Sequence, residues 1–411
     1  MTRPWIRTVT AAAALAWSVA ASAATLQTLD LPTDPEHPHF DLHPYIGYDE
    51  AYDSNILLLP QAQSSWIHTA NAGLRMPVAL GDRSRLLLNY DGAYRNYSYS
   101  NNASFKNAFI QGVDARYWFT GNRGLRLRAK ESYLNTIDPA SSELTQLLRR
   151  WTNIAGVEAG YEPDERPVHL TVDAQEIRNK YVSDVPALRP SLDRYEQLAG
   201  VKLGWQLQPK TVAYAAYHRD ILHFTDAPSP SRDSKGHLID FGVEGALATT
   251  LSGRVQAGMV YRRYDAPLGP GQGNTTRNMT ALTSLLWQPL ERSRAELAFH
   301  RSLEESSYDI NQFYIATSAT LALQHTFMWD LTARVNGLIG WDKYPTTTVI
   351  GPLSVNRRDD NYQGGASLDY PLRPWLKGGA SYLYRARFSR GLSGQFDFRD
   401  HITTLSLTAT Y

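Results

Sequence analysis

The chain closes on His401-Ile402-Thr403-Thr404-Leu405-Ser406-Leu407-Thr408-Ala409-Thr410-Tyr411, and this stretch alternates. Leu405, Leu407, Ala409 and Tyr411 share one face; Ser406, Thr408 and Thr410 share the other. Side chains of an extended strand point to opposite sides in turn, so this is a strand with one apolar and one polar face. A membrane β-barrel needs such a strand, because one side of its sheet meets hydrocarbon and the other water.

The same period recurs from about residue 44 onward. In Arg85–Tyr97, Leu86, Leu88, Tyr90 and Tyr94 oppose Asn89, Asp91 and Arg95. In Asn107–Phe119, Phe109, Val113, Ala115, Tyr117 and Phe119 oppose Asp114 and Arg116. Leu125, Leu127, Ala129 and Tyr133 oppose Arg126, Arg128 and Lys130; Val201, Leu203, Trp205 and Leu207 oppose Glu196, Lys202 and Gln206. The pattern returns in His237–Leu247, Val255–Tyr264, Met279–Trp287, Phe313–Leu323, Leu331–Asp342, Tyr362–Tyr370 and Leu376–Arg387.

Connections between these runs are short and long in turn. Short ones lie at 81–84, 120–124, 163–167, 208–210, 288–291 and 372–374; longer polar ones lie around 134–149, 182–193, 222–234, 265–276, 344–358 and 388–397. That asymmetry predicts tight periplasmic turns and long external loops. The fold expected is all-β: a transmembrane antiparallel up-and-down barrel of about 18 strands, with 16 the other count that fits. Phe119, Tyr161, Trp205, Trp287, Tyr370 and Tyr411 stand at corresponding strand ends, where an interfacial aromatic girdle is expected.

Residues 1–23 read as a signal peptide. Arg3 and Arg7 precede a short apolar run, and Ala21-Ser22-Ala23 supplies small residues for cleavage. The run is too short for a membrane helix. Residues 24–43 are then a Pro-rich periplasmic lead-in, and 44–411 the barrel. The expected location is the outer membrane of a Gram-negative cell. The lead-in holds His37, His39 and His43 beside Glu36 and Asp41, a set able to bind a metal, but a plain spacer is the simpler reading and no metal site is assigned. Cysteine is absent, which rules out disulfides and thiolate chemistry. Mean hydropathy of −0.39 is too polar for a helical membrane protein and ordinary for a barrel. A net charge of +1 gives no argument for nucleic acid.

A barrel this wide cannot be filled by its wall side chains. The inward face is expected to carry Arg75, Asp91, Arg95, Asp114, Arg116, Arg126, Arg128, Lys130, Glu196, Lys202, Asp240, Glu244, Arg254, Arg294, Glu296, Arg334, Asp342, Arg385 and Arg387, with Asp173 and Lys377. Arg126, Arg128 and Lys130 form a basic ladder that either attracts an anionic solute or pairs with Asp114 and Glu158. Tyr97, Tyr217 and Tyr264 are placed inward near the loop side, and the loops at 134–149 and 344–358 are candidates for an internal plug.

The first strand, Pro44-Tyr45-Ile46-Gly47-Tyr48-Asp49-Glu50-Ala51-Tyr52-Asp53-Ser54-Asn55-Ile56-Leu57, carries an aromatic run into an Asp-Ser-Asn turn. Through Tyr48, Tyr52, Asp53, Asn55 and Ile56 it resembles the opening strand of the EpsL-like, beta-barrel porin type 2 family linked to exopolysaccharide and capsule biosynthesis. The resemblance implies a conduit for polysaccharide export across the outer membrane, with periplasmic and inner-membrane export components as partners. The terminal strand resembles the signal that the barrel assembly machinery recognises. Read from the residues alone, Asp53 and Asn55 cap a turn through nearby backbone.

Enzymatic signals are weak. His68, His218 and His401 are placed outward near the loop side, with Ser64 and Ser65 near the first and Thr403 and Thr404 near the last, yet no G-x-S-x-G elbow is present. No phosphate-binding loop is visible, and no cofactor is expected. The reading is a non-enzymatic conduit for polysaccharide or small solutes, surrounded by outer-membrane lipids. A general or substrate-selective diffusion porin is the alternative, and a lipid hydrolase the least favoured.

Overall fold

A computed structural model describes residues 41–98, 107–139, 141, 143, 147–163, 166–182, 192–225, 231–268, 273–307, 311–345, 348–350, 353–391 and 394–411. The expected signal segment and nearly all of the lead-in lie outside the described residues.

Alternation becomes strand along the whole described chain. The strands are β1 His43–Asp53, β2 Ser65–Ala79, β3 Ser84–Tyr97, β4 Asn107–Thr120, β5 Leu125–Thr136, β6 Arg150–Tyr161, β7 Val168–Tyr181, β8 Arg194–Gln208, β9 Thr211–Phe224 and β10 Ser234–Ala246. They continue as β11 Leu251–Tyr264, β12 Thr275–Leu290, β13 Ser293–Glu305, β14 Phe313–Thr326, β15 Thr332–Lys343, β16 Thr348–Ile350, β17 Leu353–Val355, β18 Arg358–Arg373, β19 Leu376–Arg390 and β20 Phe398–Thr410. β16 and β17 pair only with each other, while the other strands form one 18-stranded antiparallel sheet. β1 bonds β2 on one side, from His43↔Arg75 to Asp53↔Ser65, and β20 on the other, from Tyr45↔Thr410 to Asp53↔Ile402. The sheet is therefore a closed barrel with no edge strand, which satisfies every ladder without water.

One face of each barrel strand carries large exposed apolar groups, among them Val157 at 60%, Leu203 at 56% and Phe241 at 63%. Residues one place along point the other way and supply the buried charges. Near the short turns Trp205, Trp287, Tyr161 and Tyr370 are about half exposed.

Turn chemistry explains the tight connections. Between β4 and β5, Arg123 and Gly124 take positive φ of 56° and 87°. A Cβ on Gly124 would fall 2.2 Å from the Glu162 carbonyl oxygen, so only glycine fits. Two short turns were not anticipated, at 247–250 and at 327–331. Neither turn itself contains the usual Gly, Pro or Asn, although Gly245 and Gly253 flank the first, and the second exposes Met328 and Trp329. The long connections at 98–106 and 306–312 also went unanticipated, and at 54–64 only the opening Asp-Ser-Asn turn was expected.

Candidate channel constriction

The β5–β6 connection begins inside the barrel. Thr136 Oγ1 donates to Asp138 Oδ2 at 3.0 Å and accepts from the Asp138 N–H at 3.1 Å. Arg95, on the inward face of β3, then grips Asp138 at 2.6 Å with both side chains buried. Tyr97, Ala108 and Ile137 pack beside this pair. A charge-assisted bond in a dry setting is hard to release, because separation leaves two buried charges. The loop therefore starts inward.

Its other fixed point is Glu143, which is fully buried. Ser306 Oγ donates to Glu143 Oε1 at 2.8 Å, and the Ser307 N–H donates to Oε2 at 2.5 Å. β5 and β13 lie eight places apart in a ring of eighteen strands, nearly opposite one another. The carboxylate thus fastens one wall's loop to the other wall's hairpin across the mouth. Burial pushes the Glu143 carboxyl above its ordinary range, against the lowering pull of Ser307, Ser306 and Arg357. Tyr344 lies beside it, its phenol raised well above 10.0 first by burial and then by the Glu143 charge.

The β15–β18 connection completes this knot. Arg357 makes two bonds to Asp359, at 3.0 and 2.6 Å, and stacks over Tyr344 at 4.5 Å and Phe396 at 4.1 Å. Tyr344 packs against Tyr314 of β14 at 5.5 Å. A cleft of about 430 Å³ opens beside Lys343, Tyr344, Pro345 and Arg357.

The upper β13–β14 hairpin also departs from the wall. Phe313 and Ile315 continue a face that carries exposed Leu321 and Leu323 lower down, yet both are buried. Phe313 stacks on Tyr264 of β11 at 5.8 Å, with Leu303 and Leu268 around them. Arg262 bonds both Asp220 and Glu305, all three buried, and Arg232 donates to the Ser306 carbonyl oxygen. The hairpin is thereby drawn against inward residues of β11. Nothing in the alternation of β13 or β14 signalled this.

Below the knot the wall is a mixed-charge lattice. Arg128 pairs Glu158 at 3.0 Å, Arg126 pairs Glu162, and Arg116 pairs Asp114 at 2.7 Å. Lys130 sits among Arg116, Asp114 and Glu158 without a direct ion pair among the described residues. The basic ladder is thus largely absorbed by its neighbours. Lys202 and Arg254 both hold Glu244, at 2.7 and 2.5 Å, and both lie over Tyr214. Asp369 receives Arg334 and, at 3.6 Å, Lys377; Arg294 reaches Glu296 at 3.6 Å. Asp91 accepts from Tyr45, where the charge of Arg75 is also felt. Asp240 accepts from Thr280 at 3.3 Å, Asp342 from Asn361 at 2.9 Å, and Glu196 acts electrostatically on Arg262. Arg387 is buried between Phe396 and Phe398 and donates to the Phe396 carbonyl.

The first-strand motif works at the barrel seam. Asn55 donates to the carbonyls of Leu59 and Arg399, at 2.8 and 3.1 Å, and its own N–H meets Asp53 at 2.8 Å and Asp400 at 3.1 Å. Arg385 binds Asp400 at 2.6 Å and lies 3.9 Å from Asp53. Tyr52 packs edge-on to Trp66 at 5.3 Å, and Tyr48 donates to Glu50 at 2.8 Å on the outer face.

Two residues sit on the face opposite to that expected. Tyr217 pairs with Val201 and Ile239 and shares their exposed outer face, whereas His218 points inward to Asp173 at 3.3 Å. The local run Tyr214-Ala215-Ala216-Tyr217 offers no polar contrast from which to choose a face. His68 and His401 are outward, bonded to Glu50 at 2.7 Å and Tyr382 at 2.7 Å.

A family model described as Putative beta-barrel porin 2 matches residues 39–411. The chain belongs to that family. It is a porin-like outer-membrane β-barrel. No curated protein matches this porin. Similar solved structures from Pseudomonas aeruginosa include OccK1 (OpdK), 13% identical, covering 90% of this porin and 99% of that chain, with a TM-score of 0.48. OccK2 (OpdF) in complex with glucuronate is 11% identical, covering 90% and 98%, with a TM-score of 0.46. The siderophore receptor PirA is 9% identical, covering 92% and 81%, with a TM-score of 0.43. At these identities and scores, nothing about cargo passes from them to this porin.

Proposed function

We propose that this porin is a selective diffusion channel for small polar or charged solutes, with the Glu143 knot as its size limit. The observation that carries the reading is the bond from Glu143 to Ser306 and Ser307 on the far wall. Such a tether leaves the lumen narrow at the mouth and wet below it. The mixed-charge lattice replaces hydration for a passing solute without binding it tightly, as conduction requires. The chemistry described needs no catalytic group.

Export of a polysaccharide rested on the first-strand resemblance alone. That motif is occupied in seam closure, and the rings of the mouth are packed on one another or on arginine. A continuous sugar-stacking path has no support among the described residues. Planar-bilayer recording of the refolded mature protein tests the proposal. Small discrete conductance steps, enlarged by Glu143→Ala, are expected. Glu143→Ala steps equal to those of the parent protein would remove the knot as the size limit.

A further inference from the structure

On the outer face, charge is unevenly spread. Glu50 engages His68, Glu176 engages Arg178, and Asp360 engages Arg358 and Arg390. β9 to β12 differ. Their register places Arg219, Lys235, His237, Arg263 and Arg277 on the outward face near the loop side. No carboxylate shares that face on these four strands. Asp233, just above, is taken up by His223 and by the Phe224 N–H, and Asp265 is exposed at the rim beyond Arg263.

Two of the arginines are held in place. Tyr217 bonds His237 Nδ1 at 2.7 Å, and the other ring nitrogen of His237 contacts Arg219. Arg277 lies over the Tyr261 ring at 5.5 Å. Arg219, Lys235, Arg263 and Arg277 make no ion pair among the described residues. Immediately below them runs an apolar lane of Ile239, Phe241, Met259 and Met279, each about half exposed or more.

Cations at the edge of a low-dielectric layer call for a counter-charge, and guanidinium forks match phosphate oxygens two at a time. The adjoining lane suits acyl chains. We propose that the outward rim of β9–β12 binds a phosphate-bearing membrane lipid, its headgroup on Arg219, Arg263 and Arg277 and its chains along Ile239, Phe241, Met259 and Met279. The site is independent of the channel reading, since it lies on the opposite side of the wall.

Native mass spectrometry of the full-length protein in detergent tests this, with phosphorylated lipid A and its dephosphorylated form as probes. Retention of the phosphorylated lipid is expected, weakened roughly tenfold or more by Arg219→Gln with Arg277→Gln. Lys180→Gln, outward on β7, should leave it unchanged. Heat-dependent gel mobility checks that each variant is folded. Equal retention of the dephosphorylated lipid, or parent-like binding by the folded double variant, overturns the site. Displacement by inorganic phosphate at equal concentration would show a free-anion site and sink the lipid reading.

Discussion

Asn55 and Asp400 meet across the barrel seam: the Asn55 N–H donates to Asp400 Oδ1 at 3.1 Å while Arg385 holds the other oxygen at 2.6 Å. The contact joins the turn after the first strand to the last strand. Asp400→Ala leaves Arg385 buried with only Asp53, 3.9 Å away, to answer its charge. A loss of about 3 kcal/mol is expected, read as a lower urea midpoint for unfolding in detergent. Asn55→Ala, which strands the Leu59 and Arg399 carbonyls, should cost about 1–3 kcal/mol by the same measurement.

Glu143 makes the mouth sensitive to pH. Its folded carboxyl titrates above the ordinary value of 4.5, so the folded knot binds a proton more readily than the released loop does. Stability of the knot is therefore greatest below 4.5 and declines as pH rises through the raised folded value. Bilayer recordings should show smaller or rarer openings on acidification through that window. Glu143→Gln should flatten the response, and an unchanged pH profile would count against the assignment.

Phe313 anchors the inward hairpin on Tyr264. Phe313→Ala removes a buried ring from a three-strand contact, with an expected cost of about 3–5 kcal/mol if the hairpin cannot collapse onto the space. Limited proteolysis within 306–312 should accelerate, and current noise should increase while the barrel itself persists.

Glu244 neutralises two cations at once. Glu244→Gln leaves Lys202 and Arg254 facing the lumen without their carboxylate. Reversal potentials across a potassium chloride gradient should move towards anion preference. A shift towards cations, or none, would mean that this pair lies off the ion path.

The strands were legible because hydrocarbon and water impose a period of two, as in Val201 to Leu207 against Lys202 and Gln206. Turns were legible where backbone geometry demands a special residue, as at Gly124. They were not where an apolar or Thr-rich turn does the work, as at Trp329 or Thr250. Tyr217 and His218 were reversed because alanines on both faces erase the contrast. The two long loops considered as a plug contribute Glu143 and Arg357, but Ser306 and Ser307, the partners of Glu143, could not be named in advance. Small hydroxyl residues acquire such a role only through a contact across the ring, which no local pattern encodes.

Pairing of the first strand with the last has a biosynthetic consequence. A nascent polypeptide lacking even its final segment presents two raw hydrogen-bonding margins, and nothing nearer in the chain can cover them. Closure must wait until β20 is available, through a slow step that joins strands far apart in the chain. Copies lacking β20 would thus be open to proteolytic quality control, and only closed ones would gain protection.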